Sequence, residues 1–160
     1  MKMSENEGLD LVLFGGTGDL VMRKLLPALY YLQRDGLLAA DMRIIGIARP
    51  AMTRADYTAV ARQQCMAHLG GDFDAARWER FVAHLDYRGC DAIDPGSYAE
   101  LAALLEAAPQ RQRVFYLSTA PSLFTAICHH LSGAGLVRPD SRVVLEKPLG
   151  HDLEIGRAHV

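Results

Sequence analysis

The chain has 160 residues, half of them hydrophobic, which is enough for one domain with a sizeable core. Its formal net charge of −2 gives no electrostatic basis for binding nucleic acid or an anionic membrane surface. No apolar run in the sequence approaches the ~20 residues that cross a bilayer, so we expect no membrane span.

The first predicted element is a strand that ends in a glycine-rich turn. Apolar residues dominate positions 9–14, as in a strand buried on both faces, and the sequence GGTG follows at 15–18. From Asp19 onwards, apolar residues recur at helical spacing to about Arg34. Pro27 lies inside this helix and predicts a kink or a break at Leu26.

This order of strand, glycine turn and helix is typical of a pyrophosphate site. Glycines allow close approach of the backbone, and a helix N-terminus offers unpaired N–H groups with a partial positive charge. Gly16 and Gly18 take the first two places of G-x-G-x-x-G, but Val21 takes the third, which predicts a wider crossing or a shifted helix. No Gly-Lys-Ser/Thr follows, so the turn is not a P-loop. A glycine turn that binds nothing is the alternative.

Within the turn, we expect the backbone amides at 16–18 to face the anion. Asp19 would repel a phosphate, so we expect it to cap the helix and shape the turn. Thr17 and Lys24 are candidates to add a hydroxyl and a charge, although Lys24 fits a solvated helix lysine equally well.

Four more strands are predicted, at 43–48, 85–91, 114–118 and 142–146. Helices are predicted between them, and the one at 53–69 opens with a capping box of Thr53 and Asp56. Tyr57, Val60, Ala61 and Gln64 are expected on one side of that helix. The alternation predicts a Rossmann-like, doubly wound α/β domain over residues 1–154, a mostly parallel sheet with helices on both faces.

Arg49 indicates which dinucleotide the domain binds. NAD-binding domains place Asp or Glu at the end of the second strand, for the ribose 2′-hydroxyl, whereas an arginine there accommodates a 2′-phosphate. The strand here ends Ile-Ala-Arg, and Asp41 lies at its opposite end. We therefore favour NADP, with a solvated strand-end arginine as the alternative.

Three later strand ends are also candidates. Asp91-Ala92 follows the third strand, where an adenosine or ribose edge passes, although a helix-entry loop is the simpler explanation. The segment 116–121, YLSTAP, ends a central strand. Lys147 follows the last strand as a fixed cation suited to a sugar phosphate, unless it only forms an ion pair with Glu146.

Three of these motifs together resemble the glucose-6-phosphate dehydrogenase family over residues 10–154. They are GGTGDL with the following RKL and PALY, IxGxAR at the second strand, and EKPxG at 146–150. The resemblance implies oxidation of glucose 6-phosphate at carbon 1 with NADP as acceptor, in a full-length homo-oligomer. It also places Lys147 between coenzyme and sugar phosphate and makes Pro148 cis. The segment at 116–121 departs from the family pattern, because Ala120 replaces a proline. The candidate coenzyme-binding residues are then Gly15, Gly16, Thr17, Gly18, Asp19, Leu20, Arg49, Asp91, Ala92 and Lys147, the last also binding substrate.

The catalytic histidine of the family lies in a segment RIDHYLGKE that this sequence lacks. His151 and His159 have no such context, so we expect no catalytic residue in the chain and interpret it as an N-terminal part without the substrate and dimerisation domain. Residues 155–160, IGRAHV, depart from the family pattern and are expected to be a non-native tail.

Two other functions stay open at this point. One is a stand-alone module that senses dinucleotides without catalysis. The other is a different sugar-converting Rossmann enzyme, which would need a Tyr-x-x-x-Lys pair that the sequence lacks. Three scattered cysteines and six histidines without ligand spacing predict reduced thiols, a cytoplasmic location and no metal site.

Overall fold

The computed structural model describes residues 8–146, in which five strands alternate with helices. The strands are β1 (Leu9–Phe14), β2 (Arg43–Ala48), β3 (Leu85–Gly89), β4 (Gln112–Leu117) and β5 (Arg142–Leu145). The α-helices are α1 (Leu26–Arg34), α2 (Arg54–Leu69), α3 (Ala75–Val82), α4 (Ala99–Glu106) and α5 (Phe124–Gly133). A π-helical segment, Val21–Leu25, precedes α1, and short 3-10 segments are Gly70–Asp72, Pro95–Tyr98 and Pro121–Leu123. All five predicted strands are confirmed, to within two residues at each end.

The five strands form one parallel sheet in the order β3-β2-β1-β4-β5. The chain runs outward from β1 to β3 and then returns to β4 on the other side of β1. Strand order therefore reverses between β1 and β4, and in doubly wound sheets ligands bind beyond the carboxyl ends of the strands at that point. The predicted fold class is confirmed.

Two apolar layers cover the two faces of the sheet. One contains buried residues of α1, α2 and α3, and the other contains those of α4 and α5. The predicted face of α2 is only half right, because Tyr57 and Ala61 are buried whereas Val60 and Gln64 are exposed. The buried positions of α2 continue at four-residue intervals, to Cys65 and Leu69. The capping box at its start is confirmed, since the Thr53 hydroxyl accepts from the Asp56 amide and the Asp56 carboxylate from the Thr53 amide.

The helix that follows the glycine turn changes its hydrogen-bond pattern where Pro27 predicts a break. The backbone stays right-handed helical through Leu26, so a break at this residue is wrong. Instead, Val21–Leu25 is π-helical, the Leu26 amide donates to the Val21 carbonyl, and Pro27 lies in the first turn of α1, which tolerates proline. Val21 takes the position of the third glycine in the G-x-G-x-x-G motif. It is fully buried, and the helix is locally widened there.

A buried ion-pair network lies at the opposite end of the strands from the glycine turn. Asp10 of β1 is fully buried, and its two oxygens accept from the Arg43 guanidinium at 2.6 and 2.7 Å. Arg111 donates to the same carboxylate at 2.8 Å. These contacts join β1 to the start of β2 and to the segment before β4, and they compensate the cost of burying the carboxylate.

Candidate functional site

Five of the ten candidate residues line one cavity at the switch point of the sheet. Its volume is about 480 Å³. Gly15 and Thr17 come from the turn after β1, and Arg49 from the end of β2. Asp91 and Ala92 follow β3, and Thr119 and Leu123 complete the wall from the β4 side. The structure thus brings together side chains or backbone from four strand ends that are far apart in the sequence.

The glycine turn uses most of its own amides internally. The N–H groups of Gly15 and Gly16 both donate to the Ile47 carbonyl at 2.9 Å, and that of Gly18 donates to the Gly15 carbonyl at 2.9 Å. The amides of Gly16 and Gly18 are therefore engaged within the protein, and the expectation that they face an anion stays a prediction. The Thr17 amide has no acceptor among the described residues, so it is the amide of this turn that remains available to a ligand.

Glycine is required at two positions of the turn for different reasons. Gly15 has φ of +85°, in the left-handed region that other residues rarely adopt. A Cβ on Gly16 would lie 2.8 Å from both the Gly46 Cα and the Ile47 nitrogen of β2. The turn consequently lies directly against the backbone of β2, which brings it close to the strand end that carries Arg49.

The residues after the turn lie on a different surface. Asp19, Leu20 and Lys24 line a separate groove of about 460 Å³, together with Arg23 and His68. The Asp19 carboxylate is 90% exposed and lies 3.7 Å from the Arg23 guanidinium, and the predicted capping bond is not formed within the described residues. Lys24 is likewise not part of the cavity wall, which favours its interpretation as a solvated helix lysine.

Arg49 lies on the same side of the sheet as the glycine turn. Its side chain is exposed, and it forms no ion pair within the described part of the chain. It also lines an adjoining cavity of about 590 Å³, which shares Cys90 and Asp91 with the first. The Tyr87 hydroxyl holds the backbone on both sides of Arg49, at 3.0 Å from the Ala48 carbonyl oxygen and 2.5 Å from that of Pro50. The guanidinium is therefore an available cation on a fixed turn.

The loop after β3 is built as a helix entry as well as a cavity wall. The Asp91 carboxylate accepts from the Ile93 amide at 3.2 Å. The backbone N–H of Asp91 donates to the Ser97 hydroxyl at 2.9 Å. The Tyr98 hydroxyl donates to the Ala92 carbonyl at 2.8 Å. These bonds account for the loop on structural grounds alone, while one carboxylate oxygen of Asp91 keeps no partner among the described residues.

At the end of β5, Glu146 pairs with a tyrosine of the neighbouring strand. The Tyr116 hydroxyl donates to the Glu146 carboxylate at 2.5 Å, and burial together with this bond raises the pKa of Tyr116 to about 12. The expectations for Lys147, for a cis Pro148 and for the tail at 155–160 all concern positions outside the described residues.

Sequence reasoning missed the two tyrosines that hold the site together. The Tyr57 hydroxyl donates to the Gly16 carbonyl at 2.8 Å, and the Tyr57 and Tyr87 rings are stacked with centroids 4.9 Å apart. A signal for this contact was present in the sequence, since an isolated glycine inside a strand indicates a close approach. That glycine is Gly46, where a Cβ would lie 2.5 Å from the Tyr57 hydroxyl oxygen.

Comparison with known proteins places this arrangement in a family. The family described as "Glucose-6-phosphate dehydrogenase, NAD binding domain" matches residues 12–158. The chain belongs to the glucose-6-phosphate dehydrogenase family. The glucose-6-phosphate 1-dehydrogenase of Mycolicibacterium smegmatis is 45% identical over 149 residues, which cover 90% of this chain and 30% of that relative. The Gluconobacter oxydans relative of the same name is 45% identical, covering 95% of this chain and 32% of its own length.

Solved glucose-6-phosphate dehydrogenase structures have the same fold. The Mycobacterium avium glucose-6-phosphate 1-dehydrogenase superposes with a TM-score of 0.79 at 38% identity, over 93% of this chain and 32% of that one. A glucose-6-phosphate dehydrogenase in complex with glucose 6-phosphate gives 0.78 at 30% identity, over 95% and 33%. The chain thus spans about a third of the length of the dehydrogenases it matches. In the part that the structure describes, no helix is long and apolar enough to cross a membrane.

Proposed function

We propose that the chain is the NADP-binding part of a cytoplasmic, homo-oligomeric glucose-6-phosphate dehydrogenase, which oxidises glucose 6-phosphate to 6-phosphogluconolactone. The observation that carries the choice of coenzyme is the position of Arg49. Arg49 forms no ion pair within residues 8–146 and lines the same cavity as Thr17, and β2 ends without an acidic residue that would bind a free 2′-hydroxyl.

The residues present fit a dinucleotide with an additional phosphate. Glycines at positions 15 and 16 let the turn pack closely against Ser118 and β2. The Thr17 amide, which has no acceptor among the described residues, would supply a donor for the pyrophosphate. Arg49 would bind the 2′-phosphate through its planar fork of N–H donors. Asp91 and Ala92 would border the adenosine, on the wall shared by the two cavities.

When bound, NADP supplies the acceptor for the hydride that leaves carbon 1 of the sugar. The described residues contribute binding and orientation, since no histidine lines this cavity among them. We propose that the group that takes the hydroxyl proton lies outside residues 8–146. We propose further that Lys147, next to Glu146 of β5, holds the sugar phosphate.

The coenzyme proposal is tested by calorimetric titration of the chain with NADP and with NAD. We expect NADP to bind at least tenfold more tightly, because one charge-assisted contact contributes about 1.5–3 kcal/mol. The matched ligands 2′,5′-ADP and AMP differ in the 2′-phosphate and lack the nicotinamide half. Their binding affinities should differ by a similar factor. Equal affinities for both pairs would refute the choice of NADP, and absence of binding would refute a coenzyme function.

The substrate proposal is tested on the NADP-saturated chain. Glucose 6-phosphate should bind, glucose should not, and Lys147→Ala should weaken the binding of the phosphorylated sugar. If the two sugars behave alike, or if Lys147→Ala changes nothing, the role given to Lys147 is wrong.

A further inference from the structure

The hydrogen bond from Tyr57 to the glycine turn fixes the direction of one amide. Tyr57 is fully buried in α2, and its hydroxyl donates to the Gly16 carbonyl at 2.8 Å, towards the core. In a planar trans peptide, the carbonyl of one residue and the N–H of the next point in opposite directions. The bond on the Gly16 carbonyl therefore directs the Thr17 N–H away from Tyr57, and Thr17 is one of the residues that line the cavity.

Tyr87 acts on the Arg49 turn in the same way. Its hydroxyl lies between the carbonyl oxygens of Ala48 and Pro50, the residues on either side of Arg49. The Cys90 amide donates to the Ala48 carbonyl at 2.8 Å as well, so the strand end is held from two directions. The exposed Arg49 side chain thus extends from a backbone whose flanking carbonyls are both fixed.

The two tyrosines form one rigid unit. Their rings are stacked with an interplanar angle of 24°, and both belong to the core layer that covers the α1–α3 face of the sheet. Burial raises the pKa of each hydroxyl above its usual value, so both remain protonated donors. Gly46 makes room for this unit, because any Cβ there would collide with the Tyr57 ring and hydroxyl.

We propose that Tyr57 and Tyr87 are positioning residues for the dinucleotide, Tyr57 for the amide that meets the pyrophosphate and Tyr87 for the guanidinium that meets the 2′-phosphate. Neither side chain touches the ligand in this scheme. Because the rings are stacked, the pair sets the spacing between the two anion contacts. The inference rests on the proposed coenzyme function. It adds two core residues that act on NADP binding through the backbone of the glycine turn and of the Arg49 turn.

The test separates positioning from a purely structural role by comparing two ligands. Tyr57→Phe should weaken NADP and NAD by about the same factor, roughly fivefold, because both carry the pyrophosphate. Tyr87→Phe should weaken NADP roughly fivefold and NAD less than about twofold, so that the preference for NADP falls. Lost stability alone would lower the melting temperature and leave both dissociation constants unchanged.

Tyr30→Phe is the matched control. Tyr30 is fully buried in the same core layer, and its hydroxyl also bonds backbone, accepting from the Asp74 amide at 3.0 Å and donating to the Asp72 carbonyl. Tyr30→Phe should lower the melting temperature and leave the dissociation constants of NADP and NAD unchanged. If Tyr57→Phe and Tyr87→Phe behave like this control while the unmodified chain prefers NADP, the inference is overturned and the coenzyme proposal stands. If the unmodified chain binds neither dinucleotide, both fall.

A measurement on the unmodified chain does not depend on any variant folding. In amide NMR spectra, addition of ADP should shift the Thr17 signal more than those of Gly16 and Gly18, whose N–H groups are occupied by internal carbonyls. Larger shifts at Gly16 and Gly18 than at Thr17 would overturn the role of Tyr57.

Discussion

Replacing Arg49 by alanine isolates the contact that selects NADP in this scheme. The side chain is exposed and makes no ion pair within residues 8–146, so its removal leaves no buried partner unsatisfied. A hydrogen bond to a charged group contributes about 1.5–3 kcal/mol. Solvent screens a contact at this exposed position, so we take the lower end, about 1.5 kcal/mol, which corresponds to roughly a tenfold change in the dissociation constant.

The assay is calorimetric titration of the unmodified chain, Arg49→Ala and Arg80→Ala with NADP and with NAD. We expect Arg49→Ala to lose about tenfold in NADP affinity and less than about twofold in NAD affinity, with the difference shrinking as salt is added. Arg80, an exposed arginine near the end of α3 and away from both cavities, serves as the control and should change neither value. Equal losses for the two dinucleotides would show that Arg49 does not contact the 2′-phosphate.

Three further predictions concern stability. Gly16→Ala places a methyl group 2.8 Å from the backbone of β2 and should lower the free energy of unfolding by about 2 kcal/mol, a fall of roughly 4–8 °C in melting temperature. Gly71→Ala is the control and should be near neutral, because a Cβ there meets nothing within 4 Å. Equal melting temperatures for the two variants would contradict the close contact at Gly16. Asp10→Asn leaves two arginines without their carboxylate and should cost about 3 kcal/mol in urea unfolding, and a loss below about 1 kcal/mol would show that the network is not coupled to folding. Burial raises the pKa of the Cys65 thiol from 9.0 to about 12, so between these values the unfolded chain releases this proton while the folded chain keeps it, and stability falls as pH rises. Cys65→Ala should flatten that fall by up to about 1.4 kcal/mol per pH unit in urea titrations, and an unchanged slope would refute it.

The fold was predictable because its signals are local. Most strands contain a short apolar run, whereas β3 (LDYRG) alternates apolar and polar residues. The alternation of strands with segments of helical spacing predicts a parallel sheet. The π-helical segment was not predictable in the same way. Pro27 predicts a kink or a break in the helix. Whether the chain breaks or rearranges its hydrogen bonds depends on the packing of Val21, which is fully buried in the core.

The candidate site was predictable by position and not by hydrogen bonding. The strand-end rule places Gly15, Thr17, Arg49 and Asp91 at one edge of the sheet, and the structure has them on one cavity. Which amides remain free could not be read from the glycine spacing, because the acceptor, the Ile47 carbonyl, belongs to another strand.

The buried ion pairs were not predictable either, because they also depend on tertiary contacts. A lone aspartate in an apolar strand does not reveal that Arg43 and Arg111, 33 and 101 residues away, converge on it. The tyrosine pair was not predicted for the same reason, since Tyr57 lies on α2 and Tyr87 on β3 and their contact belongs to the tertiary fold.

The contact of Gly16 with Gly46 limits how this scaffold can be re-engineered. Backbone meets backbone there, with the Tyr57 ring immediately against Gly46, so a library that randomises either glycine alone should yield almost no folded clones. Productive diversity for retargeting the coenzyme lies instead at Arg49, which is exposed and forms no ion pair within residues 8–146.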